Sequence, residues 1–291
     1  MKNLIAEAIF ISLLFLSLSI SYGQGIKHYQ SLDDALANPK DVLWLELHDR
    51  SIKEFPHEIL QFPNLQYLDL SNSAISYIPE SISTLNNLID LNLSGTNVQS
   101  LPKSLANLDH LSSIELSNLT NFNLENNLNT LANISSLEYV ALKNDNLERL
   151  PFNISQLKQI ETLDLSGNPI KTLPKEMSSM VNLHILYLND DAHLDFDQSI
   201  PILASIPALY VLHLENNAVT DNTQDFQELK NVKALFLSKN TNRIKPVAKL
   251  VDNKENSENL ETYNNGIPTY SLTPTITIGL DQFTNFLLFK D

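Results

Sequence analysis

The sequence predicts an α/β solenoid: a curved arc of about nine stacked repeats, with a parallel β-sheet on its concave face. Irregular, 3₁₀ and polyproline-type segments make up the convex face. Three observations predict it. The stretch "LQYLDLSNSAISYIPESISTLNN" (65–87) is followed at once by "LIDLNLSGTNVQSLPKSLANLDH" (88–110), with leucines at the same offsets and Pro79 returning as Pro102. The apolar residues that open successive units are Val42, Leu65, Leu88, Leu111, Leu137, Ile160, Leu183, Leu209 and Val232, spaced 23, 23, 23, 26, 23, 23, 26 and 23 residues apart. A sustained period in the range of roughly 20–50 residues marks a stack of like units. Each unit also begins apolar-x-x-apolar-x-apolar, as in Leu65, Leu68, Leu70 or Ile160, Leu163, Leu165. The alternation across the last pair describes a short strand with one buried face. One such strand cannot bury its leucines alone, so units stack and their strands pair in parallel.

The elements follow in chain order. Residues 1–23 read as an export signal. Lys2 precedes an apolar run from Ala8 to Ile20, and Ser21 and Gly23 offer small residues before a cleavage point at Gln24. The run is shorter than the roughly 20 residues a spanning helix needs, so no transmembrane span is expected once the signal is cleaved. Residues 24–41 form an N-terminal helical cap. In "SLDDALANP" (31–39), Ser31 with Asp34 three residues on resembles a capping box, Pro39 stops the helix, and Leu32, Ala35 and Leu36 cover Val42 and Leu45. Residues 42–254 are the nine-repeat solenoid. Residues 255–291 are a C-terminal cap or tail: beyond the polar "DNKENSEN" (252–259), "TPTITIGL" and "FTNFLLF" carry the apolar side chains to seal the ninth repeat.

Within a unit the strand is followed by a turn and then by an apolar-x-x-apolar-Pro segment. "VQSLP" (98–102), "LERLP" (147–151) and "IKTLP" (170–174) are examples. With these motifs about three quarters of the chain resembles the leucine-rich repeat family in its common 23-residue form. The resemblance implies asparagine at the ninth position of each unit, its amide satisfying turn backbone groups between coils that otherwise go unpaired. That position reads Arg50, Ser73, Thr96, Leu119, Asp145, Asn168, Asp191, Asn217 and Asn240. Serine and threonine can substitute with a hydroxyl; Arg50 and Leu119 cannot, and the ladder is expected to be weak there. Pro56, Pro79, Pro102, Pro151 and Pro174 hold extended backbone that needs no donor. Three residues after each, Ile59, Ile82, Leu105, Ile154 and Met177 point inward from the outer side. The three extra residues of the long units lie within 119–136 and 191–208, after the strand, on a turn or the outer arc.

Composition and motifs narrow the function. With 34 acidic and 19 basic residues the net charge is −15, which repels nucleic acid and anionic membrane surfaces. The absence of cysteine excludes disulfides, thiolate ligands and a cysteine nucleophile. Export without cysteine fits a bacterial protein of the periplasm or cell surface, or a secreted one. No nucleophile elbow, His-Glu-x-x-His or serine, histidine and aspartate set is present, so no enzymatic activity and no cofactor is expected. "NDDAHLDFDQ" (189–198) alternates Asp191, His193, Asp195 and Asp197, which an extended backbone would set on one side. Leu194 and Phe196 fall near core positions, however, and Phe196 and Ile202 stand where a calcium loop needs glycine and glutamate. The stretch therefore reads as solvated turn carboxylates, and no metal site is expected. Asn133 and Asn153 each begin an Asn-Ile-Ser triplet, read as chance in an asparagine-rich chain.

What remains is the outward face of the strands. Between the second and third apolar positions the column reads Glu46, Asp69, Asn92, Glu115, Ala141, Asp164, Tyr187, His213, Phe236; two residues earlier it reads Trp44, Tyr67, Asp90, Ser113, Tyr139, Thr162, Ile185, Val211, Ala234. The first four units are acidic and units seven to nine are apolar and aromatic. Trp44, Tyr67, Tyr139, Tyr187 and Phe236 exposed together would be unfavourable unless they meet a partner. The expected function is a protein-interaction module. A basic segment would lie along Glu46, Asp69, Asp90 and Glu115, anchored by Trp44 and Tyr67, with Asn92, Tyr139 and Asp164 beside it and Tyr187, His213 and Phe236 gripping an apolar part. A carbohydrate or cell-wall binder using the aromatics as stacking platforms is the alternative, and a structural envelope protein a third.

Overall fold

The computed structural model of the protein describes residues 27–217, 226 and 228–237. The expected signal at 1–23, the segment 255–291 and the ninth-position Asn240 lie outside them. Within them the chain is a curved solenoid with ten strands in one parallel sheet, in the order β1 to β10. β1 is His28–Tyr29. One strand per coil then follows: β2 (Trp44–Glu46), β3 (Tyr67–Asp69), β4 (Asp90–Asn92), β5 (Ser113–Glu115), β6 (Tyr139–Ala141), β7 (Thr162–Asp164), β8 (Ile185–Tyr187), β9 (Val211–Leu214) and β10 (Ala234–Leu237). The register is homologous throughout: Leu45, Leu68, Leu91, Ile114, Val140, Leu163, Leu186, Leu212 and Leu235 pair one with the next. Equal repeat spacing makes this the one alignment in which every strand buries its apolar side, since a slip by one residue would turn the whole set outward.

The sheet has one more strand than the repeat count predicts. Tyr29, in β1, pairs with Leu45 and is buried at the position the strand leucines occupy. The capping segment therefore closes the first coil with a strand as well as a helix. That helix, α1 (Leu32–Leu36), starts at Ser31, whose Oγ accepts the Asp34 backbone N–H at 3.3 Å. Ala35 is its fully buried residue, with Leu32 and Leu36 partly buried against the core.

On the convex side Pro56, Pro79, Pro102, Pro151 and Pro174 each precede a five-residue 3₁₀ segment, with φ between −74° and −68°. Ile59, Ile82, Leu105, Ile154 and Met177 within these segments are fully buried. The two 26-residue units use their added residues here. They replace the 3₁₀ segment with α-helices, α2 (Leu124–Ala132) and α3 (Phe196–Ser205). Asn123 and Asp195 cap them, accepting the N–H of Asn126 and Gln198 at 3.0 and 3.1 Å. Leu124, Leu128 and Leu131 recur at helical spacing on the core side of α2. The alternation of Asp191, His193, Asp195 and Asp197 therefore does not lie on one extended side. Asp191 is buried in its turn, Asp195 is the α3 cap, and Asp197 is exposed in the first helical turn. Among the described residues no group of three or more histidine, aspartate and glutamate side chains is placed to hold a metal ion.

Each coil leaves its strand through one turn. The eighth position has positive φ from the second unit onward: Asn72, Gly95, Asn118, Asn144, Gly167, Asp190 and Asn216, all between 55° and 72°. Left-handed backbone selects glycine, asparagine and aspartate. It aims the N–H at the next coil, as in Asn72 to Ser94 O at 2.8 Å and Gly167 to Asn189 O at 2.8 Å. At the ninth position Asn168 Nδ2 donates to Leu142 O and Leu165 O at 2.7 and 2.8 Å, and its Oδ1 accepts the Asp145 and Leu147 N–H at 2.9 and 3.1 Å. Ser73 and Thr96 substitute by donating their hydroxyls to Leu70 O and Leu93 O at 2.7 Å. The ladder is not broken at Leu119: the next coil compensates, with Asp145 Oδ1 accepting the Leu119 N–H at 2.7 Å.

Candidate functional site on the concave face

The predicted contact residues fall into the two expected columns on one face of the sheet. Glu46, Asp69, Asn92 and Glu115 are register partners on β2 to β5, as are Asp164, Tyr187, His213 and Phe236 on β7 to β10; Trp44, Tyr67 and Asp90 lie beside the first set. The structure divides this face into three zones with different chemistry.

The first zone is an aromatic stack at the N-terminal end. The His28, Trp44 and Tyr67 rings follow one another at 4.1 and 4.7 Å, nearly parallel. The mirror of it stands at the other end, where Tyr187, His213 and Phe236 stack at 4.2 Å each. Like positions on adjacent parallel strands are about 4.8 Å apart, within the roughly 4.5–7 Å centroid separation of offset-stacked rings, so in-register aromatics stack without distortion. The expectation that these rings stand exposed together is corrected by this packing. Tyr67 and Tyr187 are buried, and Trp44, Tyr139 and Phe236 are only partly accessible. The large apolar side chains that do stand exposed among the described residues, Tyr77, Phe152 and Val181, lie off the sheet. Trp44 and His213 are covered by rings on both faces and Tyr67 and Tyr187 are buried, so of these four mainly edges are left to meet a ligand.

The acidic column is also more occupied than its composition implies. Glu46 accepts from Gln30 Nε2 at 2.9 Å and lies 3.7 Å from His28. Asp69 is 3.1 Å from His48 Nε2 and 3.1 Å from Asn92 Nδ2. Asp69, Asn92 and Asp164 each accept the backbone N–H two residues on, from Ser71, Ser94 and Ser166 at 2.7, 2.9 and 2.9 Å, so they hold the strand exit. The Asp164 side chain is almost wholly buried and lies 3.9 Å from Lys143 Nζ.

The third zone, between the stacks, holds the carboxylates that the turns do not use. Glu115 occupies the position of Asp69 and Asp164 but is a methylene longer, and the Ser117 N–H goes to Ser94 Oγ at 3.2 Å instead. Burial pushes Glu115 up to about 7; Asp90, Asp69 and Asp164 add to the rise and Lys143 opposes it. Burial likewise pushes Asp90 up to about 6, opposed by the Ser113 hydroxyl and helped by the charge of Asp69. Tyr139 is held well above the ordinary tyrosine range by burial and by Glu115, Asp164, Tyr187 and Asp90. Tyr67 is pushed up to about 12 by burial and by Asp90. Acidic groups whose ionisation is disfavoured by burial and by one another are thus concentrated at the middle of the arc.

His28, Gln30, His48, Lys143 and Glu215 belong to this face and were not among the predicted contacts. His213 Nδ1 lies 3.0 Å from Glu215. His48, Lys143 and Glu215 share the seventh position of their units. The period-two alternation that selects the third and fifth positions reaches the seventh as well, and that signal suffices to find them.

A family model described as "Leucine-rich repeat region" matches residues 114–270, more than half of the chain, and one described as "Leucine Rich Repeat" matches residues 64–85. No curated protein sequence matches the chain. Among solved structures it is similar to internalin C2 of Listeria monocytogenes, at 21% identity over 62% of this chain and 74% of that one, TM-score 0.47. It is similar to a leucine-rich repeat protein of Leptospira interrogans, at 22% identity over 73% and 82%, TM-score 0.44. A chain of the Toll–Spätzle complex of Drosophila matches at 15% identity over 72% of this chain and 35% of that one, with a TM-score of 0.52. The stacked in-register coils and the match across more than half the sequence lead to one assignment: the chain belongs to the leucine-rich repeat family.

Proposed function

We propose that this chain is a protein-interaction module that holds a partner on the concave face of its sheet, with a basic segment of the partner over strands β4 to β7. The observation that carries this reading is the pair Asp90 and Glu115. They are half-buried on neighbouring strands and raised by burial, Glu115 also by the charge of Asp90 and Asp90 also by that of Asp69, with Lys143 as the cation in reach of Glu115. Ionised carboxylates in such a place are unfavourable to the free chain and favourable to a cationic ligand. Glu46 and Asp69 already have partners, so the basic contact moves from the N-terminal strands to the centre. The flanking stacks contribute apolar edges. Trp44 with Tyr67, and Tyr187 with His213 and Phe236, are the candidate anchors on either side.

The carbohydrate alternative needs open ring faces on which a sugar can lie, and the stacks leave mainly edges. This reading also takes the chain as a binding scaffold rather than an enzyme. It is read as exported to the periplasm, cell surface or medium, on the strength of Lys2 and the apolar run from Ala8 to Ile20. Among the described residues no helix is long and apolar enough to cross a membrane.

The test uses a synthetic extended peptide with lysine or arginine at alternate positions, its glutamate counterpart, and a neutral oligosaccharide. The basic peptide should bind, more weakly as salt rises, and Asp90→Asn with Glu115→Gln should weaken it by roughly tenfold or more. Oligosaccharide binding with no response to salt or to the double substitution would replace the proposal with the carbohydrate reading.

A further inference from the structure

The ninth-position ladder contains a second chemistry, independent of what the concave face binds. Two of its positions carry aspartate where the next coil carries asparagine. Asp145 is followed by Asn168 and Asp191 by Asn217, each pair at the same place in consecutive coils. One oxygen of each aspartate is satisfied. Asp145 Oδ1 accepts the Leu119 N–H at 2.7 Å, and Asp191 Oδ1 accepts the His193 N–H at 3.0 Å. The other oxygen of each is buried without a partner.

The asparagines show what belongs at that second atom. Asn168 Nδ2 donates to Leu142 O in the coil before and Leu165 O in its own; Asn217 Nδ2 donates to Leu188 O in the coil before. The homologous carbonyls are those of Leu116 and Leu142 for Asp145, and of Leu165 and Leu188 for Asp191. A carboxylate has no hydrogen to offer a carbonyl, whereas a carboxylic acid has one. We propose that Asp145 and Asp191 serve in the ladder as neutral acids, each donating its proton to a leucine carbonyl as the asparagine amide does, and that these two joints loosen when the proton is lost.

The charges in the surroundings agree. The Asp145 carboxyl takes the Leu119 N–H from the coil before, and the Asp145 backbone N–H donates to Asn168 Oδ1 in the coil after; neither partner is charged. Burial pushes its carboxyl up to about 7, against the pull of the Leu119 N–H. Asp191 is also raised by burial, opposed by the His193 and Ile170 N–H groups and by the His193 ring 3.9 Å away. Both joints adjoin a helix-bearing coil. Asp145 reaches back to Leu119, whose coil carries α2, and Asp191 lies in the coil that carries α3. Deprotonation therefore acts where the convex side departs from the plain 23-residue unit.

A group whose native pKa lies above its unfolded value leaves the native state holding more protons. Its stabilisation is complete below the unfolded value and is lost as pH rises through the native one. For Asp145 the window runs from the ordinary aspartate value to about 7. The experiment compares urea unfolding of the whole chain with its Asp145→Asn and Asp191→Asn variants from pH 5.5 to pH 8. Titrations elsewhere are common to all three and cancel in the difference. Relative to Asp145→Asn, the parent should lose roughly thirty-fold in its folding constant across that range, as follows from a native value near 7. A second measurement does not depend on how a variant folds: the carboxyl carbon of Asp145 in the native chain, followed by NMR, should titrate near neutrality. Parallel pH profiles for parent and Asp145→Asn, or a carboxyl that titrates in the ordinary aspartate range, would overturn the proposal.

Discussion

Leu165 shows what a single side chain contributes. It closes the strand motif begun by Ile160 and Leu163, all three are fully buried, and the stack continues on both sides. Leu165→Ala should lower stability by about 2–5 kcal/mol in a denaturant titration, and a change below about 0.5 kcal/mol would contradict the repeat register. Gly167, two residues on, is constrained by backbone. Its φ is +72°, and a Cβ there would run into the Asn144 side chain. Gly167→Ala should cost on the order of 1–3 kcal/mol, while Gly167→Asn should cost less, because asparagine already fills the same turn at Asn72, Asn118, Asn144 and Asn216. The register of the leucines could be read from spacing alone. The meaning of the eighth position could have been read too, since Asn, Gly and Asp recur there, but the signal is conformational and has no hydrophobic trace.

The elements differ in how visibly they were written. Strands and 3₁₀ segments repeat, so nine imperfect copies reinforce one another. The cap occurs once. Its helix is marked by Ser31, Asp34 and Pro39, but β1 is a two-residue strand with one core side chain, Tyr29, and no period to betray it. Ala35 is the fully buried residue of α1, whereas Leu36 is only partly so. Ala35→Glu should therefore lower the melting midpoint more than Leu36→Glu does, and equal midpoints for the two variants and the parent would remove the helix from the cap. The helices α2 and α3 arise from three added residues each, enough with an Asn123 or Asp195 cap to turn a 3₁₀ segment into α-helix. Asn123→Ala should cost about 1 kcal/mol, measured by unfolding and by loss of helical signal.

The arc as a unit shows a conflict between charge and fold. Asp90 at about 6 and Glu115 at about 7 lie above the ordinary carboxylate range, so the native chain gains stability from their protons and loses it as pH rises through those values. The proposed binding runs the other way. A cationic peptide should bind most tightly above pH 7, where both groups are ionised, and weaken as pH falls toward 5. Isothermal titration at a series of pH values, with the Asp90→Asn, Glu115→Gln variant as control, should give a sloping profile for the parent and a flatter one for the variant. The variant should also be the more stable chain at pH 8. A parent profile that does not change with pH would exclude these carboxylates from the interface.

The sequence by itself determined the repeat, the unit length, the parallel stack, the inward side chains and the two outward columns. All of these follow from periodicity, and a period of 23 with its in-strand alternation admits one way of burying the leucines. It also named the residues of the third and fifth positions that share the concave face, but not His28, Gln30, His48, Lys143 and Glu215. Only the tertiary structure decided what state they are in. Ring stacking at the strand spacing covers both faces of Trp44 and His213 and one face each of Tyr67 and Tyr187, and Gln30, His28 and His48 engage Glu46 and Asp69. Asp164 is drawn into its turn, while Asp90 and Glu115 are left carrying the field of the centre. The physical reason is that these contacts join residues one coil apart, and their energies depend on distance and burial across the stack, which spacing along the chain does not encode.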